Sequence, residues 1–406
     1  MFVNRFLLKW LNEVISIFSE KKDRAPLILD RYFKKNRTGR RDRLWIRERF
    51  YFYLRYRYLV NRLKNDNESP AESVCRLFSE KNPEEYINRL RLFLQMQEDE
   101  KEKVFESFPP FLRKELLKTF PEEHRKVMKW FNAKSFPVIR TNPVKIDRDF
   151  LKKILEKEAG IISEKTEISP FGLLIKKNCE KLTWTTSFKK GFFELQDESS
   201  QLSVFLLNPQ SKTMLDACAG GGGKTIAAAA LNRKLNITAS DLRENLFSEI
   251  KKRSKRGGHK KIKTCDIPSL ENKLFDSVFV DAPCSGSGVL KRNPEDKWKI
   301  TEKLIEDMKA KQLSCLNRYA KNVESGGELI YVTCSFIKSE NSDIIERFLK
   351  EHDDFRLFPA EQRFLQPDRL HSLSEKKLDT VTDNGCFFTS PLYNRDVFFG
   401  VIMRRS

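Results

Sequence analysis

Residues 197–406 are expected to fold as α/β, with a parallel sheet covered by helices on both faces. Three features predict this. Apolar runs of strand length alternate with helix-length runs from Thr213 to Thr333, the pattern of a covered parallel sheet. A glycine-rich stretch separates the first strand from the helix after it. Acids or cysteines stand where strands stop, and open sheets of this kind bind ligands at the carboxyl ends of their strands.

The first strand is Thr213 to Cys218, followed after the turn by a helix from Thr225 to Leu231. Asn236 to Ser240 is the second and stops at Asp241. Lys261 to Cys265 is the third and stops at Asp266. Phe275 to Val280 is the fourth and stops at Asp281. A helix over Glu302 to Lys321 and a turn at Gly326-Gly327 lead to the fifth, Glu328 to Thr333. Cys386 to Phe388 and Val397 to Met403 suit a closing antiparallel hairpin. Upstream, residues 136–196 have the pattern of a small α+β module. Its pieces are a strand at Phe136 to Thr141, a helix at Arg148 to Glu158, a strand at Leu173 to Lys176, and an end near Gly191 to Glu194. Residues 76–135 form a charged helical linker, punctuated by Pro83, Pro109, Pro110 and Pro121. Residues 1–75 form a basic helical domain. Phe2, Phe6, Leu7, Trp10, Leu11, Val14 and Phe18 recur at helical spacing, and a second helical run passes through Trp45, Ile46, Phe50, Leu54, Leu59 and Leu63.

The 406 residues carry 77 Lys and Arg against 57 Asp and Glu, a formal charge of +20. Such a surplus points to a polyanionic partner, nucleic acid ahead of a membrane surface. Residues 1 to 65 alone hold 18 basic and 6 acidic side chains. Tyr51, Tyr53, Tyr56 and Tyr58 interleave with arginines there and suit either stacking or packing in a core. At 39% hydrophobic and 11% aromatic residues the chain is not wholly disordered, and no window of 18 uncharged apolar residues offers a spanning helix. Arg5, Lys9 and Glu13 interrupt the apolar N-terminus, which reads as an amphipathic helix and not as a signal peptide. Eight scattered cysteines without a Cys-x-x-Cys, and four histidines, argue for a reducing cytoplasm and against a zinc site. The expectation is a cytoplasmic monomer without a metal or a membrane contact.

Cys218-Ala219-Gly220-Gly221-Gly222-Gly223-Lys224-Thr225 lies between a strand and a helix, where glycines let a ligand approach the backbone. Two phosphate-binding patterns fail here. A P-loop ending at Gly223-Lys224-Thr225 needs glycine where Cys218 stands. A G-x-G-x-x-G from Gly220 needs glycine where Thr225 stands, which also argues against a nicotinamide oxidoreductase. Asp241 follows Cys218 by 23 residues, close to the offset of a carboxylate that takes ribose hydroxyls. Asp266 ends the next strand, within reach of an adenine edge. S-adenosylmethionine fits such a site, its amino-acid part over the glycines; a tight turn with surface acids is the plainer alternative.

Asp281-Ala282-Pro283-Cys284-Ser285-Gly286-Ser287-Gly288 follows the fourth strand, and Thr333-Cys334-Ser335 follows the fifth. These join Gln196 to Gln201, Cys218 to Thr225, Asp241, Asp266, Lys291 to Glu295 and Phe398-Phe399, in order over about residues 136 to 405. Together they make the chain similar to the Nol/Nop/Sun (RsmB-like) family of S-adenosylmethionine-dependent RNA cytosine-5 methyltransferases. The helical N-terminus, with Arg41-Asp42-Arg43, resembles more loosely that family's NusB-like domain. The sequence departs from the family at Gly220-Gly221, where Ala-Pro is common, at Val397, where glycine usually precedes the paired Phe, and in a shorter N-terminal domain, which leaves the RNA target open.

The resemblance implies a class I methyltransferase Rossmann-like sheet over 197–406 and an RNA-recognition-like subdomain over 136–196, although the latter lacks the aromatic RNP signature. It implies action on RNA, with small-subunit ribosomal RNA ahead of transfer RNA; a catalytically silent RNA-binding assembly factor of the same fold is the rival. Cys334 would be the nucleophile and Cys284 would serve product release. Asp281 would face the N3 side of the pyrimidine, oriented by Lys224. The cofactor would lie on Cys218, Ala219, Gly220, Gly221, Gly222, Gly223, Lys224, Asp241, Asp266 and Asp281. The chemistry gives thiols a purpose, because cytosine C5 is a poor nucleophile until a thiolate adds at C6, and the C5 proton must afterwards leave to a base. DNA cytosine methyltransferases use the cysteine that Cys284 matches, so the reversed assignment stays open. The target base must be single-stranded or flipped, and Arg292-Asn293-Pro294 is either a loop that steers it or a plain loop. Cys218 is expected to pack beneath the turn, with Cys75, Cys179, Cys265, Cys315 and Cys386 structural.

Overall fold

The structure, a computed structural model, describes residues 4–21, 23–78, 97–364 and 381–406; Phe2 and Pro83 lie outside them. The chain divides into two compact units, Met1–Lys134 with Val289–Glu302, and Ser135–Gly288 with Lys303–Ser406.

The first unit is helical. Among the described residues its helices are Arg5–Lys21, Ala25–Lys35, Arg40–Arg55, Arg57–Arg62, Pro70–Leu77, Glu98–Glu106, Pro110–Thr119 and His124–Asn132. Leu11, Val14 and Phe18 of the first helix are fully buried with Phe50, Leu54 and Leu59, so the predicted apolar seam holds there. Phe6, in the opening turn, is instead 69% exposed. The run expected through Leu63 breaks at Tyr56, whose ψ of 33° leaves the helical region. Tyr53 and Tyr56 are buried in the core, which decides between stacking and packing for those two.

Residues 289–302, placed by the sequence within 197–406, pack with this helical unit instead. The reason is a set of buried anchors. Trp298 Nε1 donates to Leu54 O at 2.7 Å. Lys297 Nζ donates to Arg55 O, Ser107 O and Asn132 Oδ1 at 2.7–2.9 Å, and burial drives this lysine's pKa well below its usual value. Glu295 accepts from Ala25 N at the start of the second helix. Arg292-Asn293-Pro294 belongs to this stretch.

The second unit holds two sheets. The smaller has β1 (Val138–Thr141), β2 (Ile162–Lys165), β3 (Gly172–Lys177) and β4 (Phe193–Leu195) in the order β2-β3-β1-β4, all pairs antiparallel. The helix Arg148–Ala159, capped by Asp147 through Asp149 N and Phe150 N, buries Leu151 and Leu155 in the core of this module.

The larger sheet has β5 (Thr213–Asp216), β6 (Asn236–Ala239), β7 (Ile262–Thr264), β8 (Phe275–Asp281), β9 (Val323–Thr333), β10 (Phe355–Phe358), β11 (Thr382–Asp383), β12 (Cys386–Phe388) and β13 (Phe399–Arg405). The order is β11-β12-β13-β9-β8-β5-β6-β7, with β10 also on β13. β5, β6, β7, β8 and β9 run parallel. The late hairpin forms as expected, β12 against β13, and β13 also lies antiparallel to β9. Gly326-Gly327, expected as a turn before the fifth strand, falls inside β9, where the register against β8 shifts. Leu313 and Leu316 of the helix Glu302–Ala320, and Ile344, Ile345 and Phe348 of the helix Ser342–Glu351, share a core with Leu215, Val278, Val280 and Leu329. Because β6 lies on one side of β5 and β8 on the other, the strand order reverses at β5, and a crevice opens at the carboxyl ends of these strands.

Candidate active site

The chain leaves β5 at Asp216 and turns through the glycines into the helix Gly223–Leu231. Gly220 and Gly222 have φ of 52° and 80°, the left-handed region that glycine enters without strain. A Cβ on Gly223 would meet nothing within 4 Å, so backbone is open there to an approaching ligand. Asp241, just past β6 and buried, accepts from Gly220 N at 2.8 Å. It also accepts from Arg243 N and Nε at 2.9 and 3.0 Å. Burial alone would raise its pKa, but the hydrogen bonds from Arg243 and Gly220 outweigh it and hold the carboxyl below its usual range. Asp266 is half-buried just beyond β7, at the sheet's edge. Under the turn, Asp216 accepts from Thr225 Oγ1 at 2.6 Å. Burial pushes its carboxyl up to about 7, against the pull of that hydrogen bond. Cys218 packs on the same core as Cys315; their hydrogen bond and burial hold it as a thiol.

The first two helical residues bring Lys224 over the crevice. Its Nζ donates to Asp281 Oδ2, at the end of β8, at 2.6 Å, and it lies 5.1 Å from the centre of the Phe398 ring. Cys284 Sγ and Cys334 Sγ lie 3.4 Å apart, although fifty residues separate them in the chain. Cys284's hydrogen bond to Cys334, reinforced by burial, keeps its thiol protonated well above the usual range.

The two cysteine loops are tied together by one side chain that sequence reasoning missed. Glu340, fully buried, accepts from Ser285 N and Ser285 Oγ on one loop at 2.7 and 2.5 Å. It accepts from Ser335 Oγ on the other at 2.6 Å, and from Gln312 Nε2 at 3.1 Å. Ser287 and Ser335 hydroxyls meet at 2.9 Å, and Thr333 Oγ1 donates to Asn341 Oδ1 at 2.6 Å. Gly288 N donates to Cys334 O at 2.9 Å, and Val397 N donates to Gly288 O at 3.0 Å. A Cβ on Gly288 would run into Val397 O. The only hint of Glu340 in the sequence is an acid five residues after Ser335, and its four donors come from segments that only the fold brings together.

Cys284, Cys334, Asp281 and Lys224 thus converge at the crevice, the glycine turn and Asp241 meet beside it, and Asp266 stands two strands from β5. Glycine backbone with open space above it, and a buried carboxylate at the next strand end, fit the amino-acid part and ribose of S-adenosylmethionine. Among the described residues no cluster of His, Cys, Asp or Glu suits a metal ion, and no helix is long and apolar enough to cross a membrane.

A sheet of this order, with the glycine turn after its central strand and an antiparallel strand beside β9, is that of a class I methyltransferase. Residues 204–392 match the family described as 16S rRNA methyltransferase RsmB/F. The chain is 33% identical, over 259 residues, to the ribosomal RNA small subunit methyltransferase B of Photorhabdus laumondii, covering 62% of this chain and 60% of that protein. It spans about 60% of the length of the curated relatives it matches. Among solved structures, PH0851 superposes with a TM-score of 0.77 at 22% identity over the whole of both chains. A methyltransferase homologue from Pyrococcus horikoshii superposes with a TM-score of 0.60 at 23% identity, covering 75% of this chain and 98% of that one. The resemblance to the Nol/Nop/Sun (RsmB-like) family is borne out, with residues 204–392 similar to that family's methyltransferase domain.

Proposed function

We propose that the protein is an S-adenosylmethionine-dependent RNA cytosine C5-methyltransferase acting in the cytoplasm, as a monomer, on small-subunit ribosomal RNA. The observation that carries this reading is the thiol pair, Cys284 and Cys334, held 3.4 Å apart by the strand ends that also present the Lys224–Asp281 ion pair. The relatives' name supports ribosomal RNA as the substrate.

In this reading Gly220 to Gly223 and Lys224 hold the amino-acid part of the cofactor, Asp241 its ribose and Asp266 the edge of its base. Arg243, whose side chain is 68% exposed while that of Asp241 is buried, swings into solvent as the ribose hydroxyls take over its hydrogen bonds to the carboxylate. The cofactor supplies an electrophilic methyl group.

The Cys334 thiolate adds to C6 of the target cytosine. The Sγ–C6 bond forms, and the C5=C6 electrons move onto C5 and the N3 side, where Asp281 is held by Lys224. C5 is then nucleophilic enough to take the methyl group. Loss of the C5 proton to a base returns the electrons to C5=C6 and expels Cys334, and Cys284 serves that release. Fixing the reacting groups in advance, through Glu340 and the serines, supplies the orientation such a sequence needs.

Methyl transfer from labelled S-adenosylmethionine to purified small-subunit RNA tests the proposal. We expect 5-methylcytosine as the product. Cofactor binding without any methylated RNA would favour the silent assembly factor.

A further inference from the structure

Away from the thiol pair, the second unit holds an open concavity of about 850 Å³ whose lining includes Lys189, Lys190, Phe192, Lys252 and Lys255. Its charge comes from two separate stretches. Lys189 and Lys190 close the short helix Thr186–Lys189, and Lys252 and Lys255 lie on the helix Phe247–Gly257. All four are exposed, and among the described residues none forms an ion pair.

The concavity is firmly built. Lys145 Nζ donates to Lys190 O at 2.7 Å and Arg256 O at 2.6 Å, and Asn142 Nδ2 donates to Gly191 O and Gly257 O, each at 3.0 Å. Glu194 is gripped by Arg253 and Arg256 at 3.0 and 2.6 Å. A Cβ on Gly191 would collide with Arg256 O, so the backbones touch. Cations at helix ends are ordinarily explained by the helix dipole. Here Lys145 already serves the carbonyls of both ends, and four further positive charges are in excess. Gathering like charges without a counter-ion costs free energy, and an anionic ligand offsets it.

We propose that this basic cradle docks the phosphodiester backbone of the RNA that flanks the target nucleotide. The assignment rests on the RNA-methyltransferase reading above. The same helix reaches the cofactor turn, where Arg253 donates to Gly221 O, so RNA held here lies beside the catalytic crevice. Phosphate contacts of this kind fix the register of a nucleic acid without reading its sequence.

The test is the salt dependence of binding to a single-stranded RNA oligonucleotide. Four lost phosphate contacts should flatten the slope of log K against log salt by about 3. We expect this for Lys189→Ala/Lys190→Ala/Lys252→Ala/Lys255→Ala, with at least tenfold weaker RNA binding at low salt and unchanged affinity for S-adenosylmethionine. Each pair of substitutions alone should give about half the change, which keeps the test decisive if the fourfold variant folds poorly. A control lacking the exposed Lys303, Lys311, Lys321 and Lys350 should keep most of the slope. An unchanged slope in the cradle variant, an equal change in the control, or lost binding to anionic phospholipid vesicles with RNA binding intact would overturn the proposal. Because the slope is read from binding, this outcome is separate from whether the wild-type protein transfers methyl groups.

Discussion

Asp241 and Asp216 stand at neighbouring strand ends, one below and one above its usual pKa, and each yields a prediction. Replacing Asp241 with Ala removes the acceptor proposed for the ribose. It should weaken S-adenosylmethionine binding by about 1–3 kcal/mol, measured by calorimetry, and unchanged affinity in a folded variant would remove Asp241 from the site. Asp216, with a carboxyl pKa of about 7 against the usual 3.8, keeps its proton in the native state where the unfolded chain has lost it. The native state therefore binds more protons between about pH 4 and 7, and this group's effect is that stability falls as pH rises through that window. Asp216→Asn, which keeps an acceptor for Thr225, should flatten the fall in melting temperature between pH 5 and pH 8. A steeper fall in the variant would contradict the assignment. Asp241 was visible in the sequence as the residue at which an apolar run stops, whereas Asp216 lay inside the expected strand Thr213 to Cys218; their opposite environments were not legible, since these depend on Arg243 and on burial beneath the turn.

At the scale of elements, the cysteine loops act as one piece because Glu340 accepts from both. Glu340→Gln keeps the shape but places an NH₂ group among donors. We expect kcat to fall about 10–100-fold, equivalent to roughly 1–3 kcal/mol, with cofactor affinity retained. Gly288→Ala forces a Cβ onto Val397 O and should cost about 3 kcal/mol of stability, read by thermal denaturation. Most of the parallel strands were legible as apolar runs stopped by a polar residue, while β7, with Ile262 its one apolar residue, was legible from its place in the strand–helix alternation. β2 was not, for of Ile162–Lys165 only Ser163 points inward and is buried, leaving no apolar alternation to detect. The insertion of β13 beside β9 was hidden too, since an antiparallel hairpin satisfies the same pattern wherever it pairs.

Across the whole molecule, charge was legible from composition, but its use depends on which side chains reach solvent. Tyr53 and Tyr56 went to the core, while Arg37, Arg40, Arg41 and Arg47 are exposed. Deleting residues 1–65 would destroy the helical core, so neutralising those four arginines is the cleaner test of RNA docking by this unit. It should flatten the salt slope of RNA binding by about 3, and an unchanged slope would make them a solvated face. The stretch 289–302 shows a limit of reading domains along a chain, because Lys297 and Trp298 carry no signal of the carbonyls that receive them. The central claim, covalent catalysis with Cys334 as nucleophile and Cys284 in release, rests on geometry that one measurement probes directly: denaturing electrophoresis of single-cysteine variants incubated with RNA and S-adenosylmethionine. We predict that Cys284→Ala accumulates an enzyme–RNA adduct, while Cys334→Ala and the double variant give none and Cys334→Ala fails to methylate. An adduct in Cys334→Ala but not in Cys284→Ala would reverse the two roles, and methylation without an adduct in either variant would contradict covalent catalysis.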